Sequence, residues 1–258
     1  MAVVHAPRAR INCSARRTVT TQNSSVSIAP SPAIAGTALA APSPQGASSA
    51  ISLSGITRRF GHKWALRGIE LDVGTGDLVV IQGHNGGGKS TLLRIIATAV
   101  QPTSGQGRLL GLDLRRDAAR VRERSALLGT ANGVYEDLSA HENLLFAARM
   151  LGVRQPTTAV ADALKRVNLA ADADERVRAF SSGMQRRLAL ARIMLQNAQV
   201  LLLDEPFNTL DADGAAIVNG LIASTRERGG AVVVVLHDVA RLAASPTATY
   251  TMTQGRLA

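Results

Sequence analysis

The chain has 258 residues, of which 46% are hydrophobic and 3% aromatic, and its formal net charge is +10 at pH 7. This length is enough for one large domain with a buried core and a smaller lobe. No run approaches eighteen uninterrupted apolar residues, which excludes a membrane span. The single cysteine, Cys13, excludes an internal disulfide and fits a reducing compartment.

Residues 1–50 differ in composition from the rest of the chain. They are rich in Ala, Ser, Pro and Thr, and they carry no acidic residue and four arginines, Arg8, Arg10, Arg16 and Arg17. Such a composition is typical of an organellar transit peptide, but also of a disordered extension or an upstream start codon, which we favour. The remaining positive charge is scattered without a long basic run. We therefore expect no direct binding of nucleic acid.

Three short apolar runs predict the strands of the fold. They are LVVIQG (78–83), VLLLDEP (200–206) and AVVVVLHD (231–238). None of them alternates with polar residues, which is typical of strands buried on both faces of a parallel sheet. Between the last two runs, apolar residues recur at helical spacing at Ile217, Val218, Leu221 and Ile222. This strand–helix–strand order predicts an α/β domain.

We place this domain at residues 51–258. The segment from about 113 to 194 is mostly helical in its pattern and interrupts the succession of strands. We therefore predict a helical subdomain inserted in the α/β domain, and we find neither an internal repeat nor a second phosphate-binding loop.

The stretch GHNGGGKST after the first run matches the phosphate-loop pattern G-x-x-x-x-G-K-[ST]. It follows a predicted strand and precedes a helical segment, which is the context that the pattern requires. Its glycines allow backbone N–H groups to surround phosphate oxygens. Lys89 would bridge the β- and γ-phosphates, and the Ser90 hydroxyl would bind Mg²⁺. The candidate nucleotide contacts are Gly83, His84, Asn85, Gly86, Gly87, Gly88, Lys89, Ser90 and Thr91.

Two carboxylates and a histidine end the other two predicted strands. Asp204 would position Mg²⁺ through water, and Glu205 would act as general base on the attacking water. His237 would reach the γ-phosphate if the two strands are neighbours in the sheet. We therefore name Glu205, His237 and Lys89 as the catalytic candidates of a site for a nucleotide and Mg²⁺, and the family resemblance described next implies that the nucleotide is ATP.

These motifs, in this order, resemble the ATP-binding subunits of ATP-binding-cassette (ABC) transporters, over nearly all of residues 51–258. The most specific part is FSSGMQRR, at 180–187, which is similar to the signature loop of that family. NTLD, at 208–211, resembles its D-loop. Phe60 stands where an aromatic side chain usually stacks on adenine, although packing in the core is a close alternative.

The resemblance implies a P-loop NTPase fold of ABC type and a homodimer that holds two ATP molecules between its subunits. The signature loop would then contact the nucleotide of the partner subunit, because a helix N-terminus favours an anion. The implied contacts are Ser181, Ser182, Gly183, Met184, Gln185 and Asp211. Thr130 stands at the place of the family's Q-loop glutamine, where its shorter side chain puts direct metal ligation in doubt. The segment GVYEDLSAHENL, at 133–144, would meet a separate transmembrane permease subunit.

Within the family, the compact size of the cassette and the sequences of its loops are similar to those of the haem-exporter ATP-binding subunits of cytochrome c maturation. Exporters of polysaccharides, drugs or lipids are alternatives, as are a soluble cassette ATPase acting on nucleic acid and an ATP-binding regulator without hydrolysis. The resemblance implies peripheral association with the cytoplasmic face of the plasma membrane. An organellar membrane is the alternative if residues 1–50 are a transit peptide.

Overall fold

A computed structural model describes residues 49–258. The prediction for residues 1–50 therefore lies outside the described residues, except for Ser49 and Ala50, which begin the first strand. The strands are β1 (Ser49–Phe60), β2 (Lys63–Gly74), β3 (Leu78–Gln82), β4 (Ser104–Leu109), β5 (Leu112–Asp113), β6 (Ser125–Leu128), β7 (Val200–Asp204), β8 (Ala231–Val235), β9 (Ala248–Thr253) and β10 (Arg256–Leu257). The α-helices are α1 (Lys89–Ile96), α2 (Ala118–Arg124), α3 (Ala140–Met150), α4 (Pro156–Arg166), α5 (Ser182–Gln196) and α6 (Ala212–Glu227).

The centre of the molecule is a six-stranded sheet in the order β10-β9-β3-β8-β7-β6. Strands β9, β3, β8, β7 and β6 run parallel, and only β10 is antiparallel to its neighbour. The three apolar runs form β3, β7 and β8, and every residue of β7 and β8 is buried. The prediction of a doubly covered parallel sheet is confirmed, because helices pack on both of its faces and leave no polar face on these strands.

A second, antiparallel sheet has the order β2-β1-β4-β5. Buried and exposed residues largely alternate along β2, as expected for a strand with one face on the core and one in solvent. The hairpin between β1 and β2 pairs Phe60 with Lys63. This turn brings both side chains to the phosphate-binding loop.

Helices α3, α4 and α5 pack against one another and share a buried cluster that includes Leu144, Leu164 and Leu188. Helix α3 begins with a capping box: Ser139 accepts a hydrogen bond from the Glu142 N–H, and the Glu142 carboxylate accepts one from the Ser139 N–H. Segment 113–194 also contains β6, which joins the six-stranded sheet beside β7. The helical subdomain at residues 113–194 stays a prediction. None of the helices within residues 49–258 is long and apolar enough to cross a membrane.

Candidate functional site

The carboxyl ends of β3, β7 and β8 meet at one edge of the central sheet, since the three strands are parallel neighbours. The phosphate-binding loop follows β3, Glu205 follows β7, and His237 lies two residues beyond β8. The imidazole Nε2 of His237 lies 3.0 Å from Oε1 of Glu205. The condition set for His237, that the two strands be neighbours, is met.

Two glycines of the phosphate-binding loop occupy positions that no other residue fits. Gly83 has φ +137°, and a Cβ there would lie 2.2 Å from the carbonyl oxygen of Met252. Gly88 has φ +110°, and its Cβ would lie 2.5 Å from the carbonyl oxygen of Ala65. Side chains at these positions would both clash and strain the backbone. The loop is therefore fixed against β9 and β2 at its two ends.

Lys89 begins α1, and its side chain folds back into the loop. It is 5% exposed, and its ammonium group donates hydrogen bonds to the carbonyl oxygens of Gly83 at 2.6 Å and His84 at 3.0 Å. Burial of an ammonium group is costly unless it is bonded. The two carbonyls provide this bonding at the place where phosphate oxygens would bind.

A cavity of about 270 Å³ opens over the loop. It is lined by Phe60, Lys63, Ala65, Asn85, Gly86, Gly87, Gly88, Lys89, Ser90, Thr91 and Glu205. Phe60 is 48% exposed and so does not pack in the core. The guanidinium of Arg58 lies 4.4 Å from the centroid of its ring, a distance at which cation and ring attract each other. The cavity thus joins an aromatic wall, a loop for phosphate and a carboxylate.

The two carboxylates that end β7 have different surroundings. Asp204 is 3% exposed, and within residues 49–258 no Lys, Arg or His lies within ion-pairing distance of its side chain. A buried carboxylate without an ion pair, beside a loop that carries the Ser90 hydroxyl, is a set of oxygen donors that fits Mg²⁺. The described residues contain no group of three or more His, Cys, Asp or Glu that could hold a metal ion without further ligands.

Glu205 is partly exposed, and both of its carboxylate oxygens are engaged. His237 lies against Oε1, and the side-chain amide of Asn208 donates a hydrogen bond to Oε2. The backbone of Glu205 has φ +46°, in the left-handed region that is uncommon for residues other than glycine. The backbone turn points its carboxylate into the cavity beside the phosphate-binding loop.

The signature segment lies elsewhere. Within residues 49–258, the lining of the cavity includes none of residues 180–185. Ser181 caps helix α5 by accepting a hydrogen bond from the Met184 N–H, while Ser181 and Ser182 are exposed. Gly183, Met184 and Gln185 are half-buried in the first turn of the helix.

Asp211 caps helix α6 and pairs with Arg187, whose guanidinium nitrogen lies 2.6 Å from its Oδ1. The hydrogen bond from Arg187, followed by that from the Gly214 N–H, lowers the pKa of Asp211 below its ordinary value. Thr130 is exposed and lies just after β6, next to the end of β7. It does not line the cavity formed by the described residues.

Two residues of the site belong to the motifs NTLD and FSSGMQRR but were given no role of their own in the sequence predictions above. Asn208 holds Glu205, and Arg186 bonds to the backbone at the end of β7. The sequence did contain a signal for a buried Arg186. This residue lies one helical turn before Leu190 and two turns before Ile193, on the apolar face of α5. A cation buried on that face needs hydrogen-bond acceptors.

The family model described as ABC transporter matches residues 66–208, more than half of the chain. The chain belongs to the ABC transporter family. The predicted family and its P-loop NTPase fold are confirmed, and the chain is an ATP-binding and ATP-hydrolysing member. In the solved structures, the ATP-binding cassette MJ0796 in a dimeric post-hydrolysis state has a TM-score of 0.74 and 24% identity, with 80% of this chain and 96% of that chain covered.

Among curated proteins, the chain is similar to the cytochrome c biogenesis ATP-binding export protein CcmA 2 of Cupriavidus metallidurans. The identity is 39%, over 70% of this chain and 85% of that protein. The cytochrome c biogenesis ATP-binding export protein CcmA of Haemophilus influenzae is 35% identical over 73% of this chain and 89% of its own length. The daunorubicin resistance ATP-binding protein DrrA3 of Streptomyces coeruleorubidus is 38% identical over 74% of this chain, but only 60% of its own length.

Proposed function

We propose that the chain is the ATPase subunit of a membrane export complex that moves haem for cytochrome c biogenesis. The observation that carries this proposal is the similarity to the CcmA proteins, which extends over 85% and 89% of their length. The drug-resistance relative is of similar identity but is matched over 60% of its length. A cassette of the CcmA type therefore accounts best for the matched part of the chain.

ATP would bind with its adenine against Phe60 and its phosphates over the loop that precedes α1. Lys89 would exchange its two backbone carbonyls for phosphate oxygens and keep its ammonium bonded throughout. Backbone N–H groups of Gly86, Gly87 and Gly88, with the N-terminus of α1, add a positive field at the same place. Ser90 and Asp204 would hold Mg²⁺, which supplies neutralisation of the phosphate charge when bound.

Glu205 would take the proton of the attacking water, whose oxygen adds to the γ-phosphorus as the bond to ADP breaks. Its carboxylate faces the cavity that holds the phosphate loop. His237, held at 3.0 Å from Glu205, would orient this carboxylate beside the γ-phosphate. Asn208 restrains the second carboxylate oxygen, so that the base has one orientation before the substrate arrives.

Two copies of the chain would close around two ATP molecules. The signature segment supports this arrangement, because it leaves the chain's own cavity free and presents Ser181 and Ser182 on the surface. A helix N-terminus with exposed N–H groups and hydroxyls binds a γ-phosphate, which ATP has and ADP lacks. Closure would thus depend on ATP, and hydrolysis would release it.

The surface for the permease subunit would include the predicted segment 133–144 and continue along α3 to residue 151. Tyr135 and Phe146 are both exposed and pack edge to face, with ring centroids 5.6 Å apart. Met150 and Leu151 extend the same exposed patch, and a cavity of about 230 Å³ lies beside it. An exposed apolar patch of this kind supports a protein contact, and it would hold the chain at the cytoplasmic face of the membrane.

The mechanism is tested with Glu205→Gln. The amide has the same shape and can still bond to His237 and Asn208, so ATP should bind as in the wild type. Without the base, kcat should fall by about 10²- to 10⁴-fold. Light scattering should then detect a stable dimer with ATP and a monomer with ADP. A monomer at saturating ATP would refute the homodimer.

The cargo is tested separately, by affinity purification from native membranes and mass spectrometry of the retained proteins. Co-purification of polytopic subunits with haem-handling proteins of cytochrome c maturation is the expected result. A permease of another export class, such as a drug exporter, would contradict haem as the cargo and leave the ATPase assignment in place. Recovery in the soluble fraction without a membrane partner would contradict the export complex itself.

A further inference from the structure

The guanidinium of Arg186, in the second turn of α5, bonds to two separate segments at once. Arg186 is 3% exposed. Its Nη1 donates to the carbonyl oxygen of Gly129 at 2.6 Å and to Oδ1 of Asn132 at 3.3 Å. Its Nη2 donates to the carbonyl oxygens of Asp204 at 2.9 Å and Glu205 at 3.0 Å. Each terminal nitrogen thus serves one segment.

These two segments leave adjacent strands at the same edge of the sheet. Leu128, the last residue of β6, pairs with Leu203 of β7. Segment 129–136 follows β6 and ends at Glu136. Its residue Tyr135 belongs to the exposed apolar patch that we assign to the permease contact. Residue 204 ends β7 and residue 205 follows it, and the two carry the carboxylates of the site. Among residues 49–258, Arg186 is the side chain that hydrogen-bonds to both segments.

A buried cation in this position is not explained by stability alone. Burial lowers the pKa of Arg186, and the charges of Asp204 and Glu205 only partly oppose this effect. The guanidinium forms no ion pair with a carboxylate of the described residues, and its Nε has no hydrogen-bond partner. Apolar side chains of similar volume often stabilise a core as well or better. What an apolar side chain cannot supply is a rigid planar fork with donors on two sides.

The backbone at Glu205 is sensitive to this contact. Its φ of +46° lies in the left-handed region, so hydrogen bonds have to hold it there. The Glu205 N–H donates to the carbonyl oxygen of Val235, and its own carbonyl oxygen accepts from Arg186 and, within the same turn, from the Asn208 N–H. A shift of the guanidinium would therefore rotate the Glu205 peptide, and with it the carboxylate that His237 and Asn208 hold.

We propose that Arg186 is a positioning residue that couples segment 129–136 to the general base Glu205. Displacement of the segment by the permease pulls on the Gly129 carbonyl and on Asn132, and the planar guanidinium transmits this displacement to the backbone of Glu205. The inference rests on the proposed function, which supplies the permease contact and the role of Glu205. Because Arg186 does not touch the phosphate-binding loop, the coupling acts on the chemical step and leaves ATP binding unchanged.

The test is Arg186→Lys in the full chain, which keeps the charge and loses the fork. Steady-state ATPase assays should give a kcat lowered by at least about tenfold, with KM for ATP within about twofold of the wild type. The matched control is Arg226→Lys. Arg226 also donates a guanidinium hydrogen bond to a backbone carbonyl, that of Gly76, but at the opposite end of the strands, and its kcat should not change.

A second measurement does not depend on catalysis. In the Arg186→Lys variant, amide hydrogen exchange of segments 129–136 and 205–208 should rise together, and it should rise in neither segment of Arg226→Lys. Asn132→Ala, which removes only one acceptor of Arg186, is a milder variant in case Arg186→Lys does not fold, and its kcat should fall less. A wild-type kcat in the folded variant, or exchange that rises in only one segment, would overturn the proposal. A wild-type chain without ATPase activity would instead contradict the proposed function.

Discussion

Lys89→Ala should weaken ATP binding by an amount that follows from the bonding of this ammonium group. In the described state it is buried and bonded to the carbonyl oxygens of Gly83 and His84. A pair of unit charges about 3 Å apart is worth about 5 kcal/mol at an effective dielectric constant of 20. Giving up the two carbonyl bonds costs about 2 kcal/mol of this, so the net gain is about 3 kcal/mol. The Kd for ATP should therefore rise about a hundredfold in the alanine variant.

Isothermal titration calorimetry measures this Kd directly, and Lys63→Ala is the matched control. Lys63 lines the same cavity, but its side chain is exposed, so its loss should raise the Kd by less than about fivefold. The melting temperature without ligand should not fall for Lys89→Ala, because the substitution also removes a buried charge. Equal changes in Kd for the two variants would refute the reasoning, since burial would then have no influence on the phosphate interaction.

Phe60→Ala should raise the Kd for ATP about tenfold and leave the Kd for tripolyphosphate, which has no base, unchanged. An equal rise of the Kd for both ligands in calorimetry would contradict stacking of Phe60 on the base. Ser139→Ala removes the cap of α3 and should lower the free energy of unfolding by about 1 kcal/mol in urea titrations, with kcat unchanged; no loss of stability would mean that Glu142 alone suffices. The hydrogen bond from Arg187 is the main cause of the lowered pKa of Asp211. The ionised, paired carboxylate therefore stabilises the fold at a pH above the ordinary carboxyl pKa, and this stabilisation is lost as the pH falls through the lowered pKa. An NMR titration should therefore show the Asp211 pKa rising towards its ordinary range in Arg187→Ala, and an unchanged pKa would exclude this pair as the cause.

The parts of the fold that were predictable are those whose signal is local in the sequence. Strands β7 and β8 are continuous apolar runs because both of their faces are covered. Strand β1 was not predicted, since bulges between Leu53 and Ile56 and between Ile56 and Thr57 break its alternation. Strand β6 has four residues, and it is a strand only because β7 pairs with it.

The candidate site divides in the same way. The phosphate-binding loop is one contiguous stretch whose glycines and lysine carry their own physical reason, so its residues could be named in advance. Three of the four partners of Arg186 are backbone carbonyls, those of Gly129, Asp204 and Glu205, which lie 57, 18 and 19 residues away along the chain. Every residue has a backbone carbonyl, so the residue type does not indicate which carbonyl accepts a hydrogen bond from Arg186. Contacts of this kind become visible only when the strands are placed side by side.

The left-handed backbone at Glu205 bears on how hydrolysis is lost during divergence. A residue other than glycine or asparagine costs about 1 kcal/mol or more in this region. Replacement of the glutamate by glycine would remove the general base and relieve this strain in the same step. Substitution of Glu205 by glycine is therefore favoured by stability and abolishes hydrolysis. The reverse substitution, to glutamate, strains the backbone and would be retained only under selection for ATPase activity. A glycine or asparagine at this position in a relative would mark a cassette that binds ATP without turning it over.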